Sequence, residues 1–255
     1  MLFYPAALPL STPTLRMLAG VIRTHRAAIR SRWRRLSPAD EALMVLVVLK
    51  KGEPFAQVGA GFGVSASTCW RRVRQVVALL SARAPGLTAV LRKARRRWPF
   101  VIVDGTLIST DRLAADRPFY SGKHRRHGVN VQVVAAPDGT ILWTSGGLPG
   151  SVHDTAAARI WRIAAALREA GLLGLGDKGY HGLDVQVITP YKGRGKPESQ
   201  KQANRAHAAL RAPGERANAQ LKSWQILRQV RCGTDLITQL LRAIAVLHNY
   251  ELSSR

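Results

Sequence analysis

The sequence predicts an all-α N-terminal domain followed by an α/β domain, and three observations carry that prediction. Up to about residue 97, apolar residues recur at helical spacing between serine caps and glycine stops. From Val101 onward, short β-branched runs alternate with turns, as in Gly128-Val-Asn-Val-Gln-Val-Val134, Pro137-Asp-Gly139 and Ile141-Leu-Trp-Thr-Ser145. Helical pattern then returns for the last part of the chain.

Charge narrows the function. The 255 residues hold 39 Lys and Arg against 15 Asp and Glu, a formal charge of +24. So large a surplus repels itself unless a polyanion neutralises it, which points to nucleic acid and makes each well-placed acid informative. The cysteines, Cys69 and Cys232, are far apart and form no CxxC pair, which argues against a zinc or disulfide framework and fits a reducing cytosol. The apolar opening Met1–Leu10 is short, contains two prolines and lacks a basic start, so it does not read as a signal peptide. No later apolar run is long enough for a bilayer. The expectation is a soluble cytoplasmic protein, nucleoid-associated, with no membrane partner.

Between Thr14 and Leu36 the apolar residues Leu15, Leu18, Ile22, Ile29, Trp33 and Leu36 fall close to a helical repeat. Interleaved are Arg23, Arg26, Arg30, Arg32, Arg34 and Arg35, either a solvated face or a phosphate-contacting one. Ser37-Pro-Ala-Asp40-Glu starts a second helix that runs to about Lys51 and stops at Gly52. A short segment, Phe55 to Phe62, precedes a turn at Gly63, and Ser65 caps a helix with Cys69, Val73, Val76 and Leu80 on one face. Thr68, Arg71, Arg72 and Arg74 occupy its other faces. This is the helix-turn-helix pattern, whose last helix enters the major groove; the bland alternative is a three-helix bundle with arginines for solubility. The charge run Arg92–Arg97 reads as a basic linker or helix end. The domain boundary is placed near Trp98-Pro99, giving a DNA-binding region at 1–97 and a second domain at 98–255.

Val101-Ile-Val-Asp104-Gly-Thr reads as a buried strand, with Gly105 turning the chain at its end and leaving Asp104 at a sheet edge. Phe119 to Arg126 is basic and glycine-containing. Ser151-Val-His-Asp154 resembles a capping box opening a helix from Thr155 to about Ala170. Leu172–Leu175 is a strand leading to Asp177, and Val185–Thr189 another. A basic loop, Lys192 to Lys201, precedes helices containing Glu215 and Lys222, with a kink expected at Pro213-Gly214. Ile237–Tyr250 forms a final core helix. Three antiparallel strands, a helix, two further strands and helices is the order of the ribonuclease H-like (retroviral integrase-like) fold. Asp104 then lies on strand one, Asp177 at the end of strand four, and Glu215 on a later helix.

Three carboxylates so placed suit hard divalent cations, Mg²⁺ or Mn²⁺, and a pair of ions about 4 Å apart activates attacking and leaving oxygens in phosphodiester displacement. Asp104 is assigned to both ions, Asp177 and Glu215 to one each. Lys222 and Arg211 lie two turns after and one turn before Glu215, on its face, where they can steady a DNA phosphate. Each acid also has a bland reading: Asp104 as a turn or cap, Asp177 as a turn former before Gly179, Glu215 as a partner of Arg211. Asp154 is the second choice for the Asp177 role, since its cap position explains it without metal. His153 is read as a local hydrogen-bonding residue, and Tyr180 and Trp224 as core or DNA-flanking.

Val103-Asp104-Gly-Thr106, Gly150-Ser-Val-His-Asp154, Gly176-Asp177-Lys-Gly-Tyr180, and Arg211 with Glu215 and Lys222 occur in an order that resembles the DDE transposases of the IS4/IS5 group of bacterial insertion sequences, on the branch related to Harbinger nucleases. The family pattern places a tyrosine where this chain has Ala208. The resemblance implies metal-dependent cleavage and strand transfer at the catalytic acids Asp104, Asp177 and Glu215. It also implies binding to element terminal repeats and target DNA, and a homodimer or larger synaptic complex. Two other readings compete: a catalytically silent helix-turn-helix protein on a nuclease scaffold, and a ribonuclease H-like endonuclease that does not transpose.

Overall fold

A computed structural model describes residues 8–254 apart from 32–33, 112–116 and 229. Helices come first: α1 (Thr12–Ala28), α2 (Pro38–Lys51), α3 (Phe55–Gly61), α4 (Ala66–Ser81) and α5 (Leu87–Arg95). The side chains of Ser11, Ser37 and Ser65 accept the first-turn N–H groups of α1, α2 and α4, and Gly52 ends α2 in a left-handed conformation. The helical repeat expected over Thr14–Leu36 is not one helix. It stops at Ala28, and Arg30 turns the chain with φ 49°. Arg32 and Trp33 lie outside the described residues, as do the first seven. Arg26, read as solvated or phosphate-facing, instead pairs with buried Glu41 and donates to Leu36 O (2.9 Å).

The sheet contains β1 (Phe100–Ser109), β2 (Tyr120–Ser121), β3 (Arg126–Ala135), β4 (Ile141–Thr144), β5 (Leu148–Pro149), β6 (Leu173–Leu175) and β7 (Val187–Ile188). Its path is β2-β3-β1-β6-β7, with β4 and β5 also on β3. β3 is antiparallel to β1 and β4, whereas β6 is parallel to β1 and β7. Three antiparallel strands continued by two parallel ones is the ribonuclease H-like arrangement the sequence predicts. Gly105 does not turn the chain: β1 runs through it to Ser109, paired with β3 throughout. β6 pairs with Phe100–Ile102. β1 therefore outruns β6, and Asp104 stands two residues beyond their last paired position.

The stretch expected as one helix after Thr155 is two, α6 (Asp154–Ile160) and α7 (Ile163–Ala170), broken where Arg162 takes φ 52°. α8 (Glu198–Lys222) starts inside the loop expected to reach Lys201 and continues through Pro213 as a single 25-residue helix. α9 (Thr234–Ser253) closes the fold. Strand alternation divides the core. Ile102 and Ile108 belong to one buried cluster with residues of α1, α2, α4, α8 and α9; Val101 and Val103 belong to another with residues of α5, α6, α7 and Tyr180. The N-terminal helices thus share one core with the sheet. Buried Glu251 on α9 accepts from Ser11 N, Ser11 Oγ and Thr14 Oγ1, tying α9 to the start of α1.

Only Gly214, Ala217 and Leu221 of α8 are buried, so this long polar helix docks through a narrow stripe of mostly small residues. A β-carbon at Gly214 would overlap Ile102 Cγ2. Pro213-Gly214 therefore marks a helix pressed onto β1. Gly214→Ala is expected to destabilise the fold by about 1–2 kcal/mol in urea unfolding, despite the roughly 1 kcal/mol that alanine gains in helix propensity. Adding Ile102→Ala should recover part of that loss; strictly additive effects would disprove the close contact.

Candidate active site

The step where β1 outruns β6 brings two of the three predicted acids, Asp104 and Asp177, near each other. Asp104 points to the α8 side and is 17% exposed. Its Oδ1 accepts from Arg211 Nη2 (3.2 Å) and its Oδ2 from Asn218 Nδ2 (2.7 Å). Burial pushes its carboxyl up to about 6; Arg211 pulls down, while Asp177 and Asp154 add to the rise. Asp177 follows β6 by two residues, and its Oδ1 accepts Gly179 N (2.7 Å), capping a short turn. The turn-forming role is thus real and coexists with proximity to Asp104.

Asp154 is not explained by a capping box. α6 begins with it, His153 is its N-cap, and no side chain caps the helix. The Asp154 carboxylate instead turns toward the sheet and lies over Gly105, where a β-carbon would overlap it. That is what the glycine inside β1 is for. Asp154 Oδ1 accepts from Asn130 Nδ2 (3.1 Å) and Gln132 Nε2 (3.4 Å), and its Oδ2 from Lys123 Nζ (3.2 Å). Gln132 also donates to Asn130 Oδ1 (3.0 Å) and accepts from the buried Tyr180 hydroxyl (2.5 Å). Because Gly105 and Asp104 face opposite sides of the strand, Asp154 approaches β1 from the face opposite α8. It meets Asp177 at Gly179, whose added β-carbon would lie 2.8 Å from Asp177 Oδ1 and 3.3 Å from Asp154 Oδ2.

Glu215 is exposed. It stands one turn after Arg211 and three residues before Asn218, the α8 residues that reach Asp104, so it shares their stripe without joining the aspartates. Lys222, on the same stripe, is half-buried; burial and neighbouring Arg126 lower its pKa while Asp104 raises it. Among the described residues no three His, Cys, Asp or Glu side chains are already close enough to hold a metal ion. The donor chemistry nevertheless fits a hard divalent cation. Burial raises the pKa of Asp104 and the charges of Asp177 and Asp154 add to that rise, which an arriving cation would offset; Mg²⁺ commonly takes one or two carboxylates and completes its shell with water and phosphate. Beside Asp154 opens a cavity of about 240 Å³, bounded by Gly105–Leu107, Ser121–His124, Asn130 and Gly150–His153.

On α4, Arg71 and Arg74 are exposed; Arg71 Nη2 donates to Thr68 Oγ1 (3.3 Å) and Arg74 stacks on exposed Trp70. Arg72 is turned inward, donating to Gln75 Oε1 (2.9 Å), and its pKa is lowered by burial and by Arg34. His153 is exposed beside the cavity, whereas Tyr180 and Trp224 are core residues. Ala208 is exposed; the preceding residue, His207, donates to Gly176 O (2.9 Å) and fixes α8 against the Asp177 loop. The sequence reading missed Asn218, Lys123 and the Tyr180–Gln132–Asn130 network. Asn218 had a signal, seven residues after Arg211 and therefore on its stripe; the network joins distant residues and had none.

Residues 103–249 match the model of the DDE superfamily endonucleases, and residues 34–86 match the helix-turn-helix of the DDE superfamily endonucleases. The chain is 31% identical, over 84% of its length and 80% of the other's, to a protein described as a "putative transposase for insertion sequence element IS112" of Streptomyces albus G. It is 26% identical, over 95% and 92%, to one described as a probable transposase for insertion sequence element IS702 of Microchaete diplosiphon. Among solved structures, a pre-cleavage Mos1 transpososome aligns over 88% of this chain and 79% of that one, at 13% identity and a TM-score of 0.22, an agreement too loose to argue from.

The raised Asp104 pKa fixes the sign of a stability change. In the unfolded chain the group ionises near 3.8; in the fold, near 6. Folding is therefore penalised as pH rises from about 4 to 6, and the penalty is complete above 6. In metal-free buffer, Asp104→Asn should gain stability relative to the native protein across that window, by up to about 3 kcal/mol. Parallel urea-unfolding curves for the two proteins from pH 4 to 7 would contradict this.

Proposed function

Because the chain belongs to the DDE superfamily endonucleases, among the insertion-sequence transposases, we propose that it binds the ends of its own bacterial element and cuts and joins DNA there. One observation carries the reading: Asp104 and Asp177 converge where β1 outruns β6, alongside the α8 stripe that bears Glu215. These three acids are the proposed ligands of two Mg²⁺ or Mn²⁺ ions, with Asp154 adding negative charge from the opposite face. The bound cations would supply activation of the attacking oxygen and stabilisation of the leaving oxygen at phosphorus.

The chain's own groups prepare that event. Arg211 and Asn218 fix both Asp104 oxygens, so its orientation is set before DNA arrives. Gly179 N–H fixes Asp177, and the Asn130–Gln132–Tyr180 network fixes Asp154. Lys222 and Arg126 offer positive charge to a phosphate at the rim. Water attacks first and the freed 3′-hydroxyl then attacks target DNA, so no covalent protein intermediate is required. Residues 1–97 form the DNA-binding region in this reading, with Arg71 and Arg74 facing DNA and Thr68 orienting Arg71; residues 98–255 form the catalytic one. The chain acts in the bacterial cytoplasm, at the nucleoid, as a homodimer or larger complex on DNA.

The exposure of Glu215 favours one other reading, a silent nuclease scaffold that binds DNA alone. A Mg²⁺-dependent cleavage assay on duplexes from the flanks of its gene separates the two, and joined products separate a transposase from a plain endonuclease. Asp104→Asn, Asp177→Asn and Glu215→Gln are each expected to reduce cleavage by at least about a hundredfold while salt-sensitive DNA binding persists. Unchanged cleavage by Glu215→Gln would remove that residue from the site. Asp154→Asn abolishing cleavage while Asp177→Asn retains it would exchange those two roles.

Arg71→Ala and Arg74→Ala should weaken duplex binding and flatten its salt dependence, with a slope change of roughly one for each phosphate no longer neutralised. An unaltered salt slope would move the DNA-facing surface away from α4.

A further inference from the structure

Two cations balance the three aspartates, and they are held very differently. Arg211 is 12% exposed and sits between α8 and β1, bonded to Asp104. Lys123 is 61% exposed and reaches Asp154 from the loop between β2 and β3 through a flexible stem. Burial pulls the Lys123 pKa down, but attraction to Asp154, and then to Asp177 and Asp104, raises it overall, so the ammonium answers to the whole acid cluster. His124 follows on the same loop and Arg126 opens β3, and neighbouring positive charge reaches from there to Lys222. The loop therefore stands between the acids and the basic rim.

We infer that Lys123 is a charge-exchange residue: it neutralises the aspartates while no divalent cation is bound, and moves to a DNA phosphate once one is. This rests on the proposed metal site. A divalent charge arriving among Asp104, Asp177 and Glu215 cancels the pull of Asp177 and Asp104 and repels the ammonium, which then has Asp154 alone to hold it. Arg211 is packed in place and stays. Lys123 has open solvent on one side and a long stem, and the same displacement brings it toward the negative charge of the bound backbone. No proton is transferred; Lys123 remains an ammonium throughout.

The test uses Lys123→Gln and Lys123→Arg in the full chain. Titrating Mn²⁺ without DNA, followed by calorimetry or by loss of the free-ion electron paramagnetic resonance signal, should show Lys123→Gln binding roughly three- to tenfold more tightly than the native protein, with Lys123→Arg close to native. For a duplex from the flank of its gene, Lys123→Gln should lose roughly three- to tenfold in affinity in Ca²⁺, which binds without supporting cleavage, and little in EDTA. Unchanged Mn²⁺ affinity, or an equal DNA-binding loss in Ca²⁺ and EDTA, overturns the exchange even where the native protein binds Mn²⁺ and cleaves. If native and variant proteins alike take up no Mn²⁺ and do not cleave, the metal-site reading fails and the exchange fails with it.

Discussion

The close contact of α8 with β1 at Gly214 and Ile102 is the constraint on which the site depends. A helix normally stands well off a sheet because side chains fill the space between. Here the absence of a side chain at Gly214 lets α8 approach, and that approach lets Arg211 and Asn218, a turn to either side, reach both oxygens of Asp104. Further out, the helix offers the sheet little that is apolar. A bulkier stripe would hold α8 farther from β1 and leave a site whose parts no longer meet.

A second glycine works on the opposite face. Gly105 leaves a gap in β1 that the Asp154 carboxylate fills, while Asn130 and Gln132 on β3 hold it there. Two glycines thus allow functional groups to close on one strand from both faces. Burying Asp104 near other acids has a cost, visible in its raised pKa, to which burial contributes most and Asp177 and Asp154 add, and it falls on a protein otherwise dominated by positive charge. Unfavourable local electrostatics retained where a ligand would relieve them are typical of functional sites.

Much of this was legible in sequence, for identifiable reasons. The helix starts at Ser37 and Ser65, the stop at Gly52 and the strand alternation of β3 are local signals, and the chain obeys them. Three misreadings, at Gly105, Gly214 and Asp154, share one cause: each residue has two physical uses and the local one is the more legible. Gly105 and Gly214 suggested a turn and a kink, yet both serve close approach within regular elements. Asp154 fitted a capping pattern, but its partners lie on β3 and the β2–β3 loop. The break between α6 and α7 at Arg162 carried no glycine or proline to announce it. Lys123 was visible only as part of a basic stretch, because what distinguishes it is a through-space neighbour 31 residues away.

The shared core of the N-terminal helices and the sheet has a mechanical consequence. α4 packs directly on α9, which in turn packs on β4 and α8, and Glu251 locks the far end of α9 to the start of α1. The surface of α4 and the acid cluster are therefore two jaws of one caliper, not beads on a string. Under the proposed function, the number of base pairs between DNA held at α4 and a bond cut at the acids would be set by side-chain packing, and lengthening a connecting loop would leave that spacing unchanged.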